Sequence, residues 1–354
     1  MRILALDLGK FKTVACVYET AAGAHRFETI PTEYLEVGHL VDTVRPDRVV
    51  IEISPLAGWV GDLIRSQGLE LQVANANGAA WCWRNVKRKT DRLDALKLAQ
   101  LSAMNQLSLV HLPEPRVREW RSLIQYRQTL VAQRTRIKNR LRAILDQEGL
   151  PGLPTSQKGW TITALKVLRS AARPLEECAR GQFWRGELWE ELQQYDRLQE
   201  ALGRVEAKLD KVGGSHSQVC RLESIPGVGR RLAEMVVAVI DDPHRFKNGK
   251  QVGAYVGLTP RQYQSGTMNR QGRISGQGHK HLRSLLVEVS WLGRRHNSWM
   301  KEVYERVSRA SPARKKIAIV AVARRLLIRC WAMMREQTRW QGPSRRVSSL
   351  AQVA

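Results

Sequence analysis

Three β-rich runs open the chain with no space for a helix between them. Residues 3–7 (ILALD), 13–18 (TVACVY) and 26–30 (RFETI) are separated only by short polar stretches. Such neighbours pair as an antiparallel meander, because parallel pairing needs a crossover of a dozen residues or more. Two further runs, 48–53 and 71–74, do have that room. Helices predicted over 34–43 and 59–67 supply the crossovers and make these strands parallel. The order is therefore β-β-β-α-β-α-β-α, which excludes an all-helical or sandwich beginning.

A sheet built in that order is the mixed sheet of a ribonuclease-H-like α/β domain, expected over residues 1–112. Beyond Pro113 and Pro115 the pattern changes to long helices. Leu123, Leu130, Ile137 and Ile144 recur every seven residues, and Leu198, Leu202, Val205, Leu209 and Val212 repeat the four-and-three spacing of a coiled-coil seam. Residues 113–212 are thus expected to form a helical coiled-coil region, a hairpin turning near 149–157. Its stripes serve equally for pairing with a second copy or for packing on the chain's own core. Gly213 and Gly214 mark a linker. A mostly α-helical domain follows over 213–340, and 341–354 has the composition of a disordered tail. At 354 residues, two or three domains are in order.

Charge narrows the partner. The chain carries 58 Lys and Arg against 33 Asp and Glu, a net +25, yet 43% of its residues are hydrophobic, too many for a disordered basic tail. A folded polycation of this kind selects a polyanion, and nucleic acid leads. No apolar run approaches the ~20 residues of a membrane span, and no cleavable leader is evident, so a cytoplasmic, nucleoid-associated protein with no membrane partner is expected. The five cysteines lack any CxxC spacing, which argues against a zinc site or a disulfide framework.

Against this basic background four acids stand out. Asp7 interrupts the apolar run ILALDLG and Glu52 interrupts VVIEISP, and a carboxylate in a core strand is costly unless it serves a site. Asp91 and Asp94, in KTDRLDALKLA, fall three apart at the start of a helix and share a face. Four acids converging repel one another, a problem that a divalent cation such as Mg2+ resolves. Arg84, Lys87, Arg88, Lys89 and Arg92 would draw a nucleic-acid backbone toward them.

Two further stretches bear on phosphate chemistry. SIPGVGRR reads as a helix-hairpin-helix turn, in which Gly227 and Gly229 free backbone N–H groups for a phosphate while Arg230 and Arg231 add charge. The segment YVGLTPRQYQSGTMNRQGRISGQGHKHLRS then carries Arg261, Arg270, Arg273, Lys280 and Arg283 with no acid, as a phosphate-facing loop would. Ser265 lies among these cations and would serve as a nucleophile toward phosphorus if the arginines stabilise the developing charge. Spacing alone does not choose between Ser265, Ser275 and Ser284.

These strings together resemble the insertion-sequence DEDD transposases, bridge-RNA-guided serine recombinases with an N-terminal RuvC-like domain and a C-terminal serine transposase domain. The likeness rests on LALDLGK, VVIEISP and KTDRLDALKLA, then on SIPGVG, YVGLTPRQYQSG and GRISGQGHKHLRSLL. It implies that Asp7, Glu52, Asp91 and Asp94 are catalytic ligands of Mg2+ and that Ser265 is the nucleophile. It further implies cleavage through a phosphoserine and rejoining of donor and target DNA. It implies too that an element-encoded noncoding bridge RNA acts as the guide, and that a homodimer assembles to a tetramer in which the serine meets another subunit's acids. Pro55 and Leu56, after the acidic strand, depart from the family pattern.

Two other readings compete. A metal-dependent RuvC-like structure-specific nuclease would use the same acids with water as nucleophile. A non-catalytic nucleic-acid-binding protein would need the basic surface alone. A covalent protein–DNA adduct separates the first of these from the serine recombinase.

Overall fold

The computed structural model describes residues 1–75, 78, 90–150, 160–265 and 268–342, and the chain divides into two compact units, Met1–Arg118 and Glu119–Ala354. Arg84, Lys87, Arg88 and Lys89, the centre of the turn expected near 149–157, and most of the expected tail lie outside the described residues.

The first unit holds β1 (Arg2–Leu8), β2 (Lys12–Glu19), β3 (His25–Pro31), α1 (Tyr34–Val44), β4 (Arg48–Glu52), α2 (Ala57–Ser66), β5 (Glu70–Ala74) and α3 (Asp91–Ala103). The sheet runs β3-β2-β1-β4-β5, antiparallel from β1 through β3 and parallel among β1, β4 and β5. This is the expected order, mixed in direction for the expected reason. Both faces are covered, so the central strands are apolar on both sides. Leu4, Leu6, Val49 and Ile51 pack with Val37, Val41, Val60 and Ile64 of α1 and α2 on one face. Ile3, Ala5 and Val50 meet Ala95, Leu98 and Ala99 of α3 on the other.

The second unit is mostly helical. It contains α4 (Pro115–Gln147, which begins in the first unit), α5 (Ile162–Ala171), α6 (Phe183–Gly214), α7 (Ser217–Leu222), α8 (Arg230–Ile240) and α9 (Gly249–Tyr255). A hairpin of β6 (Pro260–Ser265) and β7 (Met268–Ile274) comes next, then α10 (Lys280–Gly293), α11 (Ser298–Ser308) and α12 (Lys315–Glu336). Helices α4 and α6 run antiparallel, as shown by cross-links descending along both. Arg127 pairs with Glu206 at 2.6 Å, Arg134 donates to Gln199 at 2.8 Å and Arg140 pairs with Glu187 at 2.7 Å. Their heptad stripes pack within the chain: Leu130, Leu202, Val205 and Leu209 join the core of α7 to α12, and Ile137 joins a smaller core with Leu168 of α5.

Helix α8 lies in the middle of the larger core, with Leu232 through Ile240 all buried. That burial includes Glu234, 1% exposed, whose carboxylate receives Arg231 at 2.8 Å. Arg231 also reaches Asp210 at 2.7 Å, tying α8 to α6. Burial pushes the Glu234 carboxyl above the usual carboxylate range, and the Arg231 guanidinium opposes that rise. Of the described cysteines, none is in a disulfide, and burial pushes the Cys16 thiol up to about 11 and Cys330 up to about 12.

The segment expected as a basic loop is instead the β6–β7 hairpin, and its root is tightly fastened. Ser275 N–H donates to the Thr259 carbonyl at 2.8 Å, and Arg283 Nη1 donates to the carbonyls of Val256 at 2.9 Å and Gln277 at 2.6 Å. Gly257 adopts φ +76°, and a Cβ there would overlap the Gln277 carbonyl oxygen. The hairpin escaped the sequence analysis because its strands have no apolar alternation to announce them.

Two outcomes follow from this packing. Gly257→Ala combines left-handed backbone with a backbone clash and should cost about 1–3 kcal/mol or more in chemical denaturation. Arg231→Met strands a buried carboxylate and should cost about 3–5 kcal/mol, most of it recovered in the Arg231→Met/Glu234→Met double variant. In Arg231→Met the folded Glu234 carboxyl stays above its unfolded value, so this group's contribution to stability is greatest in acid and is lost as pH rises through that elevated value. Denaturation across pH checks the sign.

Candidate active site

The acids of the first unit gather at one end of the sheet. Leu6 of β1 pairs with Ile51 of β4, so Asp7 and Glu52 come next on adjacent parallel strands. Side chains alternate along a strand; Ile3 and Ala5 on β1 and Val50 on β4 face α3, which puts Asp7 and Glu52 on that same face. Helix α3 begins at this end because Thr90 caps it, its hydroxyl accepting the Leu93 N–H at 3.3 Å. Asp91 is then the first helical residue and is exposed, whereas Asp94, one turn in, is only 7% exposed. Asp7 and Glu52 are half-buried.

The chemistry of this set, hard carboxylate oxygens from three elements, suits a divalent cation of the Mg2+ kind. Among the described residues no three acid, histidine or cysteine side chains stand close enough to hold a metal ion. The fold thus brings the acids to one end without closing them into a cage. Arg92 is exposed beside them, its guanidinium 5.7 Å from the Phe27 ring centroid.

Ser265 is the last residue of β6 and is exposed, with Met268 opposite it on β7. Directly opposed residues share a face. Tyr263 pairs with Arg270, so Ser265, Tyr263 and Arg270 lie on one side of the ribbon. On the other side Gln262 reaches Gln264 at 3.4 Å and Asn269 at 3.5 Å. Two residues of β7, Gly272 and Arg273, stand against Arg261 alone, a bulge that interrupts the register. Arg261, Arg270 and Arg273 are all exposed, and Arg261 also donates to the Ser275 carbonyl at 3.3 Å. Neither rival serine is presented in this way. Ser275 is half-buried in the hairpin root, and Ser284 donates to the Lys280 carbonyl within α10. Alternation across QYQS was the signal that could have revealed which residues accompany the serine.

Other expected phosphate contacts are occupied inside the protein. Arg230 pairs with Glu223 at 3.1 Å, and Arg231 is held by Glu234 and Asp210. Gly227 packs against Gly293 at the end of α10, and Asn297 donates to the Pro226 carbonyl at 3.0 Å, so the glycine turn is gripped from within. Arg283 spends its guanidinium on the hairpin root, while Lys280 remains exposed at the start of α10. Sequence reasoning missed His279, which precedes α10. Burial first, then the charges of Arg121, Arg245 and Arg283, push its imidazole down to about 4.

Comparison with known proteins assigns both halves. The family model DEDD_Tnp_IS110, described as a transposase, matches residues 4–149, and the model described as "Transposase IS116/IS110/IS902 family" matches residues 220–305. The putative transposase y4rJ of Sinorhizobium fredii is 26% identical over 80% of this chain and 76% of its own. The transposase for insertion sequence element IS1111A of Coxiella burnetii is 29% identical over 70% of this chain and 67% of its own. A solved Thermus thermophilus RuvC structure overlaps 31% of this chain and 100% of its own, at 15% identity and a TM-score of 0.24. The first matched stretch contains the four acids and the second contains Ser265, and with transposases among the similar proteins, the chain is an IS110-family DNA transposase.

Proposed function

We propose that this transposase cuts and rejoins DNA with Ser265 as nucleophile, the acids Asp7, Glu52, Asp91 and Asp94 as holders of Mg2+, and a bridge RNA pairing with donor and target DNA as guide. The observation that carries the serine is its exposure on one face of a hairpin with Tyr263 and Arg270, above a fastened root. The Ser265 hydroxyl gives up its proton as Oγ attacks phosphorus, the P–O bond to the departing strand breaks, and the leaving oxygen takes up a proton. The phosphate is then held as a serine ester. A hydroxyl of the second DNA attacks that ester and releases the serine, so one phosphodiester replaces another without net loss of bond energy. Arg270 and Arg261 offset the charge that builds on the phosphate oxygens.

A divalent ion would be held by these acids only once they close in from their spread positions, and it would then supply Lewis-acid stabilisation of phosphate oxygens. The acids' own part is to present carboxylate oxygens at the end of the sheet, and burial of Asp94 fixes one of them in place. The net charge of +25 supports an RNA guide alongside the DNA. A homodimer, assembling to a tetramer, would bring a serine of one copy to the acids of another. Since the heptad stripes are spent within the chain, that pairing draws on other surfaces. Water-using nuclease chemistry is the second reading, favoured by the one feature it needs, the acids gathered at the end of a self-contained sheet.

Two measurements separate these readings. Denaturing electrophoresis of labelled DNA should show a protein–DNA adduct with wild type and Ser275→Ala and none with Ser265→Ala, whose rate falls on the order of 10³-fold or more; cutting without an adduct in any variant establishes the nuclease. Asp94→Asn should abolish recombination in Mg2+ while leaving RNA affinity within about twofold, because it removes a metal ligand and no phosphate contact.

A further inference from the structure

We infer that the β1–β2 turn is a stacking platform for an unpaired nucleobase of the DNA strand lying at the acidic end of the sheet. The inference rests on the DNA-cutting role proposed for those acids. Phe11, within the turn between Leu8 and Lys12, is 75% exposed. An aromatic ring on a yielding loop would fold back onto apolar surface. This one is carried by a backbone held on both sides and stays exposed.

The turn is held from both sides. Gly9 N–H donates to the Lys12 carbonyl at 3.1 Å, and Thr32 N–H donates to the Phe11 carbonyl at 3.0 Å. The Thr32 hydroxyl donates to the Gly9 carbonyl at 2.9 Å and lies 2.8 Å from that of Thr13, which is fully buried. Any Cβ at Gly9 would sit 2.5 Å from the Lys12 carbonyl oxygen, so only glycine permits this closure. The backbone that carries the ring is therefore held in a fixed place.

Its surroundings select a nucleotide. Lys10 Nζ is 4.9 Å from the Phe11 centroid, and Lys10 and Lys12 are exposed and in no ion pair among the described residues. A stacked base needs an aromatic face, and its flanking phosphates need cations; lysine–phenylalanine–lysine supplies both. The turn also follows directly from the strand that carries Asp7, since Asp7 pairs with Val14 and Leu8 with Thr13 on its two sides. A base at Phe11 would thus belong to a strand whose phosphate reaches the acids. Bases in an intact duplex already stack on their neighbours, so the platform takes an unpaired one.

The test uses the full-length protein and a DNA duplex carrying a short single-stranded gap with 2-aminopurine in it, beside an intact duplex and a gapped duplex whose gap is RNA. Binding is measured without strand cutting, so its failure leaves the proposed serine chemistry standing. Phe11→Ala should bind the gapped DNA about tenfold more weakly and lose the 2-aminopurine quench, leaving the intact duplex unchanged, and Phe11→Trp should restore both. Lys10→Gln should weaken intact and gapped DNA alike and lower the salt slope by about 0.9. Equal effects of Phe11→Ala on intact and gapped DNA, no effect on either, failure of Phe11→Trp to restore binding, or an effect confined to the RNA gap would each overturn the assignment. Thermal melting of each variant confirms that the turn remains folded.

Discussion

Everything in the first unit depends on the register of β1. This strand is the hinge between two pairing regimes, antiparallel to β2 and parallel to β4, and it is buried on both faces. A shift of one residue along either neighbour would turn Asp7 toward α1 and α2 and send Leu6 toward α3. Burial of Leu4, Leu6, Ile3 and Ala5 forbids that shift, so the hydrophobic core and the direction of the acidic side chain are a single decision. The thirteen residues of α3 extend it, because Ala95, Leu98 and Ala99 seat the helix and thereby fix where its capped first turn delivers Asp91 and Asp94.

In the second unit several arginines are structural. Arg121 donates to the Ala238 carbonyl at 2.6 Å and Arg245 to that of Ile240 at 3.0 Å, closing the C-terminal end of α8 with two cations where the helix dipole is negative. Arg245 also lies 4.3 Å and 4.4 Å from the ring centroids of Phe246 and Tyr255. In the first unit, Arg118 is bound to Asp62. A high net charge therefore says that a polyanion is the partner but does not map where it lies. Guanidiniums that bind backbone carbonyls and carboxylates are withdrawn from that surface.

This explains what was legible in the sequence. The sheet could be read because strand spacing and crossover length are local quantities, and the acids because each broke an apolar or helical pattern at Asp7, Glu52, Asp91 and Asp94. Arg230, Arg231 and Arg283 could not be sorted from Arg261 and Arg270, since sequence does not show which cation meets Glu223, Glu234 or the Gln277 carbonyl. Those partners come from segments distant in the chain or from turns with unusual backbone. The hairpin was hidden for a related reason: a ribbon exposed on both faces carries no hydrophobic period, and only cross-strand hydrogen bonds define it. The helical stripes were legible as stripes, but whether they face another copy or the chain's own core depends on what else folds against them.

The fastening of the hairpin root has a mechanical meaning. Six residues of extended strand reach about 20 Å, so Ser265 stands at the end of a stiff arm whose bearing is made by Gly257, Arg283 and the Thr259 carbonyl. On such a lever a small rotation at the bearing becomes a displacement of ångströms at the tip, and the attack proposed for this serine would tolerate little of that. Positional accuracy at the serine is therefore stored far from it, in the groups of the hairpin root.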